Sequence, residues 1–364
     1  MEPDLLSTVW AQPNQRPELT ESEWEDILGQ ARRGSLLGRL AQHHVDHNWL
    51  SSVAQRPRRY LEGALRRVDR QRFEVQWELD CIRRALESVD CRVVLLKGAA
   101  YFIAGLPPHR GRLFSDIDIL VDHSHLPEVE GALLRAGYFS VERDAYNDRY
   151  YRQWMHEIPP LVHVQRSTVI DVHHTITPPT SRFKVDAAKL FQCIEPVGTK
   201  GDFFVLGPQD MVLHSAVHLF QEGEFAHGLR DLLDLNDLLV HFGRNPRFWP
   251  VLFARAAEIG LEEPLFHALH HVGRLFGTKV PSEWIAAQES IRPAWVSRTA
   301  MSALLSIALR PDHPSCDVRF SKLARLLLYI RSHYLRMPPQ LVIPHILRKA
   351  YMQRFPEPEA AVAN

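Results

Sequence analysis

The sequence predicts an α+β fold in which a strand-containing middle segment is flanked by helical regions on both sides. Before about residue 90 and after about residue 205, apolar residues recur at the three- and four-residue spacing of amphipathic helices. Between these regions, short continuous apolar runs typical of buried strands alternate with short helical segments. We therefore expect an N-terminal helical region over 1–90, a core over 91–205 and a C-terminal helical domain over 206–364.

The composition is that of an ordinary globular protein and gives no strong nucleic-acid signal. Of 364 residues, 45% are hydrophobic and 24% are charged, and the 43 basic residues balance the 43 acidic ones. A net charge of zero provides no overall attraction to nucleic acid or to an anionic membrane. No apolar run approaches the ~18 residues of a membrane span. The acidic start of the chain is unlike a signal peptide, and four dispersed cysteines fit a reducing compartment, so we expect a cytoplasmic protein.

The N-terminal region is predicted to contain a capped helix followed by a long amphipathic helix. Thr20 precedes Glu23 by three residues, which is the spacing of a capping box. From Leu61 to Val89, apolar residues follow helical spacing on one face. We expect this stripe to pack against the core.

The spacing of the apolar residues changes at Arg92, where the predicted core begins. Residues 93–96 form a continuous apolar run that predicts a buried strand, and Lys97 then opens a short helix. At such a turn, backbone N–H groups and the helix dipole favour an anion, and Gly98 allows close backbone approach. Lys97, Gly98 and Ala99 are therefore candidate phosphate-binding residues, although strand–glycine–helix turns are also common without a ligand.

Three aspartates in two predicted strands are the candidate catalytic and metal-binding residues. Asp116 and Asp118 alternate with isoleucines, so both carboxylates share one strand face, which we expect to be open while the apolar face is buried. Adjacent carboxylates repel without a cation, and Mg²⁺ prefers oxygen ligands. Asp171 lies in the apolar run 168–173, where aspartate is unfavourable by strand propensity. If the two strands are neighbours, Asp171 joins the pair; otherwise these are ordinary solvent-facing aspartates.

Polar residues near the aspartates extend the candidate site. Arg112 and Ser115 precede the first acidic strand and can contact phosphate oxygens, although an exposed loop arginine would need no such role. His173 shares a strand face with Asp171. It is a candidate contact to nucleotide or acceptor, or else a half-buried polar residue.

Other polar groups have weaker functional interpretations. His214 and His218 are four residues apart on a predicted helix, but the glutamate of a zinc H-E-x-x-H motif is missing, so helix packing is favoured. Asp231 and Asp234 fit a solvated helix face with Arg230 as partner, or a role in closing the cleft. Basic residues scattered through the C-terminal helices fit packed helices, or a surface for an anionic acceptor, RNA or a membrane.

Together these motifs resemble the bacterial uncharacterised nucleotidyltransferase family, a member of the DNA polymerase β-like superfamily. The segments that carry the resemblance are residues 97–100, 112–121 and 170–173, with two helices that start near Pro208 and Leu229. The resemblance covers about residues 75–245. The wider superfamily usually has Gly-Gly or Gly-Ser at the turn where this chain has Gly98-Ala99.

The resemblance implies a small mixed sheet with helices on one side and a specific chemistry. It implies that a nucleoside monophosphate passes from an NTP, with ATP the expected donor, to a hydroxyl-bearing acceptor, and that pyrophosphate leaves. Two Mg²⁺ ions would be held by Asp116, Asp118 and Asp171. The acceptor would be a small molecule, a peptide or a saccharide. Two alternatives stay open: a non-catalytic protein that binds nucleotide or a partner on the same fold, and a toxin that nucleotidylates tRNA or protein.

Overall fold

In the computed structural model, a mixed sheet lies at the centre of the protein. The structure describes residues 4–338 apart from 141, 143, 199–201, 222 and 283–294, and also residues 340 and 342. The strands of the described chain are β1 (Val94–Leu95), β2 (Ile117–Leu120), β3 (Tyr138–Ser140), β4 (Leu161–His163), β5 (Val169–His173), β6 (Ile194–Val197) and β7 (Phe203–Leu206). Their order across the seven-stranded sheet is β3-β4-β5-β2-β1-β7-β6.

Helices precede the strands, lie between them and follow them along the chain. In the described residues they are α1 (Leu5–Ala11), α2 (Glu21–Arg33), α3 (Leu37–Asp46), α4 (Gln55–Ala85), α5 (Lys97–Ile103), α6 (Leu126–Arg135), α7 (Ala145–Trp154), α8 (Ala187–Phe191), α9 (Pro208–Gln221), α10 (Gly228–Phe242), α11 (Phe248–Ile259), α12 (Glu262–Phe276), α13 (Trp295–Ala308) and α14 (Ser321–Arg336). Short 3-10 turns occupy 50–52, 107–109, 123–125 and 314–316. The predicted α+β class with helical flanks is therefore confirmed.

The middle of the sheet brings the two predicted acidic strands together. β2 pairs antiparallel with β1 on one side and parallel with β5 on the other. On β2, Ile117 and Ile119 are buried, as expected for the apolar face of this strand. β1 is short, with two paired residues inside the predicted apolar run.

The N-terminal helices agree with the sequence in kind but differ in extent. The capping box at Thr20 is formed, because its side chain accepts from the Glu23 N–H and the Glu23 carboxylate accepts from the Thr20 N–H. The long helix α4 begins at Gln55, before the predicted start, and ends at Ala85. A helix tolerates Pro57 in its first turn. The first turns lack the apolar stripe that would have marked the start of the helix in the sequence.

Two apolar cores hold the chain together. The larger surrounds the sheet and includes residues of the C-terminal helices. The smaller lies among α1 to α4, yet Leu229 and Leu233 of α10 belong to it as well. The N-terminal helices therefore pack directly on the C-terminal region.

The C-terminal helices start close to the predicted positions. The spacing of apolar residues also predicts helices that start at Trp249, Pro264, Pro293, Phe320 and Leu341. Of these, the helices predicted at Trp249, Pro264 and Phe320 are observed as α11, α12 and α14, which begin within a few residues of those positions. The predicted starts at Pro293 and Leu341 lie outside the described residues. Within the described part of the chain, no helix is both long and apolar enough to cross a membrane.

Candidate active site

Two neighbouring strands place two of the candidate aspartates side by side. In the parallel pairing of β2 with β5, Asp118 lies opposite Asp171. Residues in register on adjacent strands project to the same face of the sheet. The strand adjacency that the sequence left open is therefore observed.

Asp116 lies at the entrance of the same strand. It was predicted to lie within the strand, but β2 begins one residue later, at Ile117. Its Oδ1 accepts a hydrogen bond of 2.9 Å from the Ser115 hydroxyl. Asp116 is half-buried and Ser115 is exposed, so this is the more open end of the acidic group.

Asp118 is the most enclosed of the three carboxylates. The expectation of an open acidic face is wrong for this residue, which is 4% exposed. Lys97 Nζ donates to Asp118 Oδ1 at 3.0 Å, and His173 Nε2 lies 3.0 Å from the same oxygen. Burial alone would raise the pKa of Asp118, but Lys97 and His173 hold it well below its usual value. Asp118 is therefore an ionised carboxylate that already has Lys97 and His173 as partners.

Asp171 has the opposite electrostatic environment. Burial, followed by the negative charges of Asp118 and Glu157, raises the pKa of Asp171 to about 7. Its Oδ1 is buried and has no hydrogen-bond partner among the described residues. A buried carboxylate oxygen without a partner, next to an ionised carboxylate, is the environment that a hard divalent cation would satisfy. The donor set thus fits a metal of this kind.

The turn after β1 positions Lys97, and its backbone is packed against other residues instead of being open to a phosphate. Lys97 has a φ of +44°, a left-handed conformation that is uncommon for a residue other than glycine. A Cβ added to Gly98 would lie 2.6 Å from Cδ1 of Phe114, so this glycine permits close packing of the segment before Asp116. Ala99 is buried. The structure therefore gives Gly98 a packing function that the sequence did not predict.

Arg112 lies beside this turn and contacts helix α10. It is 8% exposed, so the interpretation as an exposed loop arginine is wrong. Its guanidinium forms an ion pair with Asp234 of α10 and lies 5.9 Å from the ring centroid of Tyr101. Asp234 also pairs with Arg39 Nη1 at 3.2 Å. The solvated-face interpretation is therefore wrong for Asp234, which joins three parts of the chain.

The remaining candidates have local partners. Asp231 pairs with Arg230 at 2.8 Å, the partner expected from the sequence. His214 is buried on α9, and its ring meets that of His218 edge-on at 6.3 Å between centroids. Burial lowers the pKa of His218 to about 3, so this imidazole is neutral. Neither histidine belongs to a group of potential metal ligands in the described part of the chain.

Gln71 of α4 is a site residue that sequence reasoning missed. Its side-chain amide donates to the Phe114 carbonyl and accepts from the Phe114 N–H, both at 2.7 Å. These bonds fix the backbone just before Asp116. Gln71 lies 43 residues from Phe114, and a polar residue on an amphipathic helix carries no signal of such a contact.

Helix α7 was not predicted from the sequence, and one of its residues is influenced by the charges of the acidic group. Tyr151 on this helix has a pKa raised to about 12 by burial and by the charges of Glu157 and Asp171. Its phenol therefore lies within electrostatic reach of the acidic group. Four aromatic residues in ten obscured the helical pattern of this segment.

Comparison with known proteins places the chain in a family. The sequence pattern of the family described as uncharacterised nucleotidyltransferase matches residues 20–277. The protein therefore belongs to this nucleotidyltransferase family and is a transferase that uses an NTP. The match begins in the N-terminal helices, so it is longer than the segment on which the sequence resemblance rested. No curated protein and no solved structure matches the chain.

Proposed function

We propose that the protein transfers a nucleoside monophosphate from an NTP to a hydroxyl group of an acceptor and releases pyrophosphate. The observation that carries this proposal is the pairing of Asp118 with Asp171 on neighbouring strands, beside Asp116. The acceptor oxygen forms a bond to the α-phosphorus. The bond between that phosphorus and the oxygen that bridges it to the β-phosphorus breaks, and pyrophosphate leaves. The hydroxyl proton passes to Asp171, which orients the acceptor.

The proposed metal ligands are Asp116, Asp118 and Asp171, and two Mg²⁺ ions are expected. When bound, Mg²⁺ lowers the pKa of the acceptor hydroxyl and offsets charge on the triphosphate. Support for this assignment comes from the all-oxygen donor set and from the Asp171 oxygen that has no partner among the described residues.

The basic groups around the aspartates have two proposed functions. In this structure the Lys97 ammonium pairs with Asp118. In the proposed complex with NTP and Mg²⁺, Asp118 would bind the cation and the ammonium would turn to the phosphates. Ser115, with the backbone of Gly98 and Ala99, is proposed to contact the phosphates at the open end. Arg112 would add positive charge from beside the turn, since Asp234 already holds its guanidinium.

The proposed acceptor is a small molecule, a peptide or a saccharide that carries a hydroxyl. His173 lies on the same strand as Asp171 and is proposed to orient Asp118 and to border the acceptor or nucleotide. The pKa of Tyr151 is raised by burial and by the charges of Glu157 and Asp171, and its aromatic ring is proposed to border the acceptor. The balanced charge of the chain gives no support to a polyanionic acceptor.

The test is transfer of label from α-labelled ATP, GTP, CTP and UTP in the presence of Mg²⁺ and cell extract. The wild type should label a product with one of these donors. Asp116→Asn should reduce transfer by about 100-fold or more, because loss of a residue that only orients a metal ligand already costs about 10–100-fold. Asp122→Asn is the matched control, because Asp122 is an exposed aspartate just beyond β2. Undiminished transfer by folded Asp116→Asn would contradict the proposal.

A further inference from the structure

A second group of ligand-bearing side chains lies against the far side of β5. Residues 156–158 continue the antiparallel pairing along this strand: Ile158 N–H donates to Val172 O at 3.0 Å, and Glu157 bridges to His173. These bonds fix the segment that carries His156 and Glu157 against the end of the strand that carries His173.

The spacing of this group suits a single cation. One ligand atom from each of His156, Glu157 and His173 lies within 4.8 Å of the others. His173 Nδ1 is 3.4 Å from Glu157 Oε2. Bonds of about 2.0–2.2 Å in a tetrahedral site place neighbouring ligand atoms roughly 3.3–3.5 Å apart. This pair therefore already has the required separation, and the ligand atom of His156 lies within 4.8 Å of both.

The hydrogen bonding of His173 supplies independent support. Its side chain is 3% exposed, and Nδ1 makes no hydrogen bond in the described structure although it faces Glu157. The other ring nitrogen, Nε2, lies 3.0 Å from Asp118. A histidine that binds a metal through one nitrogen usually gives its other N–H to a carboxylate, and that is the arrangement found here. Nδ1 of His156 is also buried without a hydrogen-bond partner in the described residues.

We propose that His156, Glu157 and His173 bind a transition-metal cation, Zn²⁺ in the first instance, apart from the Mg²⁺ assigned to the aspartates. Two imidazoles and one carboxylate form a borderline donor set that suits Zn²⁺, whereas Mg²⁺ prefers oxygen ligands. Three protein ligands leave a fourth position for water or another ligand. With the cation on Nδ1, the proton of His173 resides on Nε2, and its N–H donates to Asp118 and fixes that carboxylate.

The test measures binding of Zn²⁺ alone, so it does not depend on the proposed transfer reaction. The full chain, stripped with chelator, is titrated calorimetrically with Zn²⁺ in excess Mg²⁺, and Co²⁺ is used in parallel to read the coordination spectrum. The wild type should bind one Zn²⁺ per chain at this cluster. Glu157→Gln and His156→Asn should each weaken that binding at least tenfold and remove the tetrahedral Co²⁺ spectrum.

Two control variants separate this site from other binding. His123→Asn, a change at an exposed histidine, should leave binding of Zn²⁺ unchanged and so measures surface effects. Asp116→Asn should also bind Zn²⁺ normally while it fails to transfer nucleotide, so the two proposals can fail separately. If circular dichroism shows that His156→Asn folds poorly, the test relies on Glu157→Gln, which keeps the shape of the side chain. Absence of stoichiometric binding in the wild type, or unchanged binding in Glu157→Gln, would overturn the assignment.

Discussion

At the scale of single residues, Asp118 and Asp171 show how neighbouring strands give two identical side chains different properties. Asp118 is compensated by Lys97 and His173, which keep its pKa well below the usual value despite burial. At Asp171 the lowering effect of His173 is outweighed, and burial together with the charge of Asp118 raises the pKa to about 7. The folded protein without metal therefore stores an electrostatic penalty at Asp171.

This penalty predicts a gain of stability when the charge is removed. The pKa of Asp171 is higher in the folded than in the unfolded chain, so the folded state binds more protons and its stability falls as the pH rises from about 4 to about 7. In chelator at pH 8, Asp171→Asn should raise the free energy of unfolding by up to about 4 kcal/mol. The gain should shrink as the pH is lowered toward 4. Denaturant unfolding at several pH values measures it.

The matched control for this prediction is Asp69→Asn, since the Asp69 side chain is 72% exposed. That variant should change stability by no more than about 0.5 kcal/mol. Equal stability of Asp171→Asn and wild type at pH 8 would show that Asp171 carries no buried charge in the absence of metal.

Gly98 gives a second prediction at this scale. A methyl group at this position would meet the Phe114 ring at 2.6 Å, so Gly98→Ala should push the segment that leads to Asp116 out of place. The expected cost is about 1–3 kcal/mol of stability, with a loss of transfer activity. Replacing the ring as well, in Gly98→Ala with Phe114→Leu, should restore part of both. A double variant no better than Gly98→Ala would argue against the packing explanation.

At the scale of elements, the sequence predicted what local periodicity encodes. The strands of Asp118 and Asp171 were predicted because alternation and β-branched residues mark them, and the capped helix at Thr20 because its spacing is local. Helix α7 and strands β6 and β7 were not predicted, because these segments are short or rich in aromatic and polar residues. The register that sets Asp118 beside Asp171 depends on tertiary packing and could only be assumed.

Gln71 gives the prediction that belongs to this scale, because it links α4 to the segment before β2. Gln71→Leu keeps the size of the side chain but leaves the Phe114 N–H and carbonyl without their partners. We expect a loss of about 1–3 kcal/mol in stability and a lower kcat, because Asp116 is no longer held. Gln42→Leu is the control, as Gln42 makes an exposed bond to Asp46 on α3. Equal kcat for Gln71→Leu and wild type would show that this contact does not position Asp116.

At the scale of the whole molecule, Asp234 connects the helical regions to the site. It lies on α10, pairs with Arg39 of the N-terminal helices and with Arg112 beside the turn, and is 2% exposed. The 195 residues between Arg39 and Asp234 explain why no sequence pattern revealed the contact. The family match, which includes both regions, is consistent with one cooperative unit.

Removal of this charge should therefore destabilise the whole protein. Asp234→Asn removes the ion-pair partner of the buried Arg112 guanidinium and leaves Arg39 paired with Asp237 alone. The expected cost is about 3–5 kcal/mol in the free energy of unfolding. Glu74→Gln, which breaks an exposed pair with Arg70, should cost no more than about 0.5 kcal/mol. Both values come from denaturant unfolding followed by circular dichroism. A similar loss in the free energy of unfolding for the two variants would show that Asp234 does not connect these parts of the chain.

In the proposed mechanism, Asp116, Asp118 and Asp171 together bind the catalytic divalent cations. Anomalous diffraction from crystals grown with Mn²⁺ and a non-hydrolysable ATP analogue locates such cations directly. We predict two Mn²⁺ peaks in contact with these three carboxylates, one of them also touching the triphosphate. Nucleotide bound with its Mn²⁺ ions away from Asp171 and Asp118 would contradict the account.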